Sequence, residues 1–143
     1  MTLVKQIALT ALVASLVGCG DSPTAPSTAA PFSQTDLQVG SGATAASGNR
    51  LTVHYTLWLY DATSADQKGI QLESTTPESP FIFTLTGGQV IDGWIQGVSG
   101  MREGGRRRLV VPPSLGYGQS RNGIIPPNAT LLFEIQLVTV EVL

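Results

Sequence analysis

Cysteine, histidine and charge are what this chain of 143 residues has least of: one Cys, one His, and 13% Asp, Glu, Lys and Arg. A single cysteine, Cys19, allows no intramolecular disulfide, no CxxC redox pair and no thiolate metal cluster. A single histidine, His54, leaves a zinc site of the HExxH kind without its second ligand. A Ser-His-Asp triad would have to recruit the same His54, and no GxSxG elbow is present. Basic residues are outnumbered, eight against ten acidic, for a formal net charge of −2, so there is no electrostatic footing for nucleic acid. No phosphate loop is present either, because Gly97-Val98-Ser99-Gly100 lacks the lysine and the preceding strand. Neither metal nor cofactor is expected.

A hydrophobic content of 42% supplies one real core. Ahead of it, residues 1–18 read as an export signal: Lys5 precedes an apolar run, Ile7 to Val17, broken only by Thr10 and Ser15. That run is too short for the roughly 20 residues a membrane-spanning helix needs. It ends in Leu16-Val17-Gly18-Cys19, which resembles a bacterial lipobox and implies a lipid on Cys19. Residues 19–35 then form the lipidated cysteine and an extended linker rich in Pro, Ser, Thr and Ala. The ordered domain is expected over 36–143. The chain is therefore read as exported and lipid-anchored to a bacterial membrane, its domain facing the periplasm or the cell exterior.

Within the domain, period-two alternation marks strands. Leu51, Val53, Tyr55, Leu57 and Leu59 share one face of a strand, with Thr52, His54, Thr56, Trp58 and Tyr60 on the other. Shorter strands are expected at 36–39, 70–74, 81–85 and 106–111, and a long one at 130–142. After Gly87-Gly88 the period changes: Ile91, Trp94, Ile95 and Val98 recur at helical spacing. Gly93 and Gly97, four apart, let that helix approach a sheet closely. Antiparallel strands with one short helix predict an α+β fold, a curved half-barrel sheet of five to six strands wrapped on the helix.

Polar catalytic machinery is nearly absent. His54 reads as a satisfied strand histidine, and Arg106-Arg107-Arg108 alternates sides, so it reads as a solvated strand end. What stands out instead is apolar residues where loops belong: Tyr117, Ile124 and Ile125 lie in "YGQSRNGIIPPNAT", 117–130. An apolar pocket with a few polar tips accounts for them better than a core does.

Five segments in order carry a family resemblance: "VHYT" at 53–56, "PFIF" at 80–83, "VIDGWIQGVSGM" at 90–101, "GYG" at 116–118 and "GIIPPNATLLFEIQL" at 123–137. Together they closely resemble the FKBP-type peptidyl-prolyl cis–trans isomerases, over about residues 36–143. The resemblance implies the half-barrel fold and catalysis of rotation about Xaa–Pro bonds in protein folding outside the cytoplasm. It implies Trp94 as the floor of the pocket, Tyr55, Phe81 and Phe133 as walls, and Val90 and Ile91 as the rim. Ile124 and Ile125 would close the far side. Tyr117, Tyr55 and Glu73 would be the catalytic polar groups. Glu73 is a departure: Leu72-Glu73 stands where the family usually has Phe-Asp. The histidine often found before "GIIPP" is also absent, with Arg121 and Asn122 in that region. Implied partners are proline-containing peptides and unfolded proteins, macrolide inhibitors, and a membrane through the N-terminal lipid. No oligomerisation segment is seen, so a monomer is expected. The altered Leu72-Glu73 position keeps a second reading open, a non-catalytic peptide-binding or chaperone module of the same fold.

Overall fold

The computed structural model describes residues 30–143. The expected export signal and Cys19 lie outside the described residues. Six strands, β1 (Ser33–Gln38), β2 (Arg50–Tyr60), β3 (Lys68–Ser74), β4 (Phe81–Thr84), β5 (Arg106–Val111) and β6 (Leu131–Glu141), make one antiparallel sheet. One helix, α1 (Asp92–Val98), and a single 3-10 turn, Pro113–Leu115, complete the described elements. β1 starts at Ser33, earlier than the expected strand at 36–39, and reaches into the stretch read as linker. It pairs with β5 from Ser33↔Val110 to Gln38↔Arg106.

The sheet order is β1-β5-β6-β2-β3, and β4 also pairs with β2. This overturns the expected half-barrel wrapped around a helix: the sheet is an open row, neither curled nor closed into a barrel. Two features account for it. Beyond β2 the row ends in two short strands that share its outer edge: β3 takes Thr56 to Tyr60 and β4 takes Arg50 to Val53. And α1 is narrow enough to lie on one face without being enclosed. A Cβ on Gly93 would sit 2.5 Å from Val111 Cγ1, and one on Gly97 would sit 2.5 Å from Leu109 Cδ2, so both glycines are needed for the helix to lie against β5.

The alternation predicted for β2 holds: Leu51, Val53 and Leu57 are buried, and Tyr55 and Leu59 are partly buried against the same core. From β6, Leu131, Phe133, Ile135 and Leu137 join them, with Leu85 after β4 and Trp94 and Val98 from α1. Arg107 corrects the reading of the arginine run. Its neighbours on both sides face outward, but Arg107 shares the inner parity of Leu109 and Val111 and is buried. Its Nε donates to Asp36 Oδ1 at 2.6 Å and its Nη1 to the carbonyls of Gly97 (2.8 Å) and Ser99 (3.3 Å). One side chain thus ties β1 and β5 to the carbonyl end of α1, whose last C=O groups have no partner within the helix.

Candidate active site

The cleft is assembled where the paired edge of β2 is interrupted. Between β3 and β4 the chain leaves the sheet at Thr75, which substitutes for a ladder residue. The Tyr55 N–H donates to Thr75 Oγ1 (3.1 Å), and the Thr75 N–H donates to the Tyr55 carbonyl (3.0 Å). His54 Nδ1 meets the same hydroxyl at 3.2 Å, so this histidine is satisfied by a local partner. Register then sets the walls. Leu57 pairs with Glu73 on one side and Phe133 on the other, and Phe81 pairs with Val53.

Trp94 forms the base. Four aromatic rings meet it at steep angles: Tyr55 at 5.1 Å between centroids (88°), Phe133 at 5.4 Å (84°), Phe83 at 5.4 Å (63°) and Phe81 at 5.9 Å (85°). Edge-to-face contacts set the positive rim of one ring against the negative face of another, adding about 0.5–1.5 kcal/mol per pair beyond burial. The result is a rigid apolar cup. Trp94 Nε1 is buried in it and has no hydrogen-bond partner among the described residues.

A cavity of about 100 Å³ opens over this cup. It unites eight of the residues expected from the sequence: Tyr55, Glu73, Phe81, Val90, Ile91, Trp94, Tyr117 and Phe133. Ile124 and Ile125 do not line it. Asn122 and Ile125 exchange backbone hydrogen bonds across a tight turn (3.1 and 2.8 Å), with Gly123 at φ +55°. That turn sends Ile125 into the core and leaves Ile124 at its tip, 63% exposed. Two lining residues were missed, Leu57 and Gln89. Leu57 was recoverable, since it lies two residues beyond Tyr55 on one strand face. Gln89 carries no sequence signal; its Oε1 accepts the Thr84 N–H at 2.9 Å.

The electrostatics of the cleft rest on three groups. Burial, and then the charge of Glu73, push the Tyr55 phenol well above the ordinary tyrosine range. Burial and the Glu73 charge also raise Tyr117, with Asn122 drawing it partly back. Both phenols therefore keep their protons at neutral pH and can donate hydrogen bonds. Glu73 is exposed and makes no ion pair among the described residues. Its charge acts on both phenols, and a side-chain hydrogen bond with Tyr55 adds to the rise of that phenol. Among the described residues there is no group of three or more His, Cys, Asp or Glu able to hold a metal ion.

Residues 41–138 match the family described as FKBP-type peptidyl-prolyl cis-trans isomerase. An "FK506-binding protein" of Neisseria meningitidis serogroup A is 46% identical over 106 residues, covering 73% of this chain and 92% of the relative. The human "Peptidyl-prolyl cis-trans isomerase FKBP2" is 46% identical over 96 residues, covering 66% of this chain and 63% of that protein. Among solved structures, FkpA from Escherichia coli is similar with a TM-score of 0.65 at 32% identity. That match covers 77% of this chain but 48% of FkpA, so the chain spans about half of that longer protein. A peptidyl-prolyl cis-trans isomerase from Pseudomonas syringae gives a TM-score of 0.64 at 32% identity, covering 77% of this chain and 75% of that one.

Proposed function

The chain belongs to the FKBP-type peptidyl-prolyl cis–trans isomerases, and we propose that it turns Xaa–Pro bonds in the aromatic cleft over Trp94. Its activity is that of the family, and its substrates are proline-containing peptides and proteins. The observation that carries the assignment of the site is the cup itself: one indole base, steep aromatic walls, and two phenols held protonated.

Such a site needs no acid, base or metal. The barrier to amide rotation, ~18–20 kcal/mol, comes from resonance that gives the C–N bond partial double-bond character. The resonance form that carries this character is charge-separated, and a dry apolar cup stabilises it less than water does. Equal binding of planar and twisted amides would leave the barrier unchanged, so some contacts must strengthen as the bond turns. A 10⁵-fold acceleration requires about 7 kcal/mol of such differential stabilisation. We assign it to the proline ring seated on Trp94 between Tyr55, Phe81 and Phe133, with the Tyr117 hydroxyl donating to a substrate carbonyl. Val90 and Ile91 form the rim, where α1 begins and its first N–H groups lack intrahelical partners, so the Ile91 N–H takes a second carbonyl. Ile125 fixes the Tyr117 loop from within the core, and Ile124 presents its apolar tip. Macrolides of the kind named in the meningococcal relative would compete for the same cup.

A protease-coupled isomerisation assay tests the site. Tyr117→Phe combined with Trp94→Leu should remove most of the rate gain over the uncatalysed reaction, and an unchanged rate would sink the assignment.

We further propose that the chain acts outside the cytoplasm, anchored by a lipid on Cys19. The support is the short apolar run behind Lys5 and its Leu-Val-Gly-Cys end. Cys19→Ser should release the protein from membranes on fractionation; retention unchanged by the substitution would refute the anchor.

A further inference from the structure

A second cavity of about 280 Å³ adjoins the aromatic cup and shares Tyr55, Glu73 and Phe81 with it. Its character is different. Apart from those three its lining is Ser74, Thr75, Thr76, Ser79 and Pro80, so hydroxyls replace rings. The far wall is a turn closed by the Ser79 N–H donating to the Thr76 carbonyl at 3.0 Å, with Glu78 exposed at its tip. Of all residues lining either cavity, Glu73 is the only charged one, and it stands at their junction.

Among the described residues no cation pairs with it. Arg106, which approaches Ser74 and Thr75 from the opposite face of the sheet, faces Glu134 at 3.8 Å. Among the loops that frame the cleft, the one cation is Arg121, on the Tyr117–Asn128 segment. Asp92, next to the rim residue Ile91, adds a further exposed carboxylate. The two cavities meet at Glu73, so a peptide residue that leaves the cup on that side passes the carboxylate and enters the hydroxyl-lined cavity.

Resting on the reading of the cup as the active site, we propose that this adjoining cavity selects substrates with a lysine or arginine next to the proline. Glu73 supplies the counter-charge, and the hydroxyls of Thr76 and Ser79 supply acceptors for the cation's N–H groups. The interaction is partly solvated, so its selectivity is about three-fold rather than a hundred-fold, and salt weakens it within a Debye length of ~8–10 Å.

The test is kcat/KM in the isomerisation assay for peptides identical except beside the proline, with lysine, its uncharged isostere norleucine, or glutamate on either flank. The wild-type protein should prefer lysine over norleucine by about three-fold at low salt, with glutamate below both. That order should flatten in 1 M salt and in Glu73→Gln, whatever that variant does to absolute rates, and persist in Glu73→Asp. Equal rates for the three peptides, or a lysine preference that survives Glu73→Gln, would overturn the inference. Trp94→Leu separates the two readings. If it lowers all peptides together while the wild type shows no flank preference, only this inference fails; if it changes no rate, the site reading fails and takes the inference with it.

Discussion

The two faces of the sheet are built from the same strands and do opposite things with them. On β6, Phe133 turns inward to the Trp94 cup, while its neighbour Glu134 turns outward to three cations. On β2, Tyr55 faces in, and His54 and Thr56 line a polar groove on the other side. The inner face gains by excluding water, since apolar area and edge-on rings both favour a dry environment. The outer face keeps its charges partly in water and holds them by mutual pairing. Alternation with period two places these two chemistries one residue apart, so a cleft without charge on its base can coexist with a soluble exterior. Substitutions on the inner face should therefore change catalysis, and those on the outer face stability alone.

The largest effect should come from Trp94. Trp94→Ala removes the ring that four others meet, and large-to-small changes of this kind cost about 3–5 kcal/mol. Urea denaturation should show a lower midpoint, and isomerisation should vanish with it. Next is the seat of the helix that carries Trp94. Gly97→Ala places a methyl 2.5 Å from Leu109 Cδ2, and either α1 or β5 must give way, costing about 1–3 kcal/mol. Because the helix moves as well, kcat/KM should fall more than a stability loss of that size would cause by itself. A destabilised variant with full activity would show that the cup does not depend on the helix seat.

Much of this was legible from residue order. The inner face of β2, the helix over 92–98 and its paired glycines follow from periods of 2 and 3.6, which are local properties. Eight of the ten pocket residues implied by the family resemblance line one cavity. Periodicity by itself orients Tyr55 and Phe133 on their strands and Trp94 on its helix, whereas Glu73, Val90 and Tyr117 rest on the resemblance. What escaped depends on how the chain turns in space. Whether the sheet closes is decided by which strands end up at its edges, and residue order does not say that β3 and β4 share one side of β2. Ile124 and Ile125 look equivalent in sequence, but a turn through Gly123 at φ +55° separates them into tip and core. Arg107 was misjudged for a different reason. Its parity was readable, but a charged side chain inside requires partners, and Asp36 and the end of α1 are remote in sequence.

Tyr117→Phe sharpens the contrast by deleting one hydroxyl from the inner face with little change in packing. If that hydroxyl donates to a substrate carbonyl, kcat/KM should fall about tenfold, which corresponds to 1.4 kcal/mol. The denaturation midpoint should stay put. Both phenols are raised above their ordinary values, by burial first and Glu73 second, so activity should show no tyrosine-linked loss between pH 6 and 9. Their contribution to stability has the same sign. It is intact below about pH 10, where an unfolded tyrosine titrates, and is lost as the pH climbs from there through the folded values. A stability decline that sets in near pH 8 would contradict the burial of these groups.

Glu134 provides the outer-face counterpart, with the smallest effect. Lys68 and Arg108 each reach it at 2.9 Å, and Arg106 stands at 3.8 Å. Burial pushes its carboxyl up, but the hydrogen bonds and charges of Arg108 and Lys68 outweigh that and hold it below the usual range. A lowered value means the stabilisation is present above the ordinary glutamate value of 4.5 and is lost as pH falls through the folded value. Glu134→Gln leaves three cations without their common partner and should cost about 1 kcal/mol at pH 7, in the upper part of the range for partly exposed pairs. The loss should shrink on acidification, because the wild type surrenders the same interaction when Glu134 takes a proton. In the isomerisation assay the variant should match the wild type at temperatures where both are folded. A fall in kcat/KM there would mean that the outer charges reach the cup through β6, from Glu134 to the adjacent Phe133, and the division of labour between the faces would not hold.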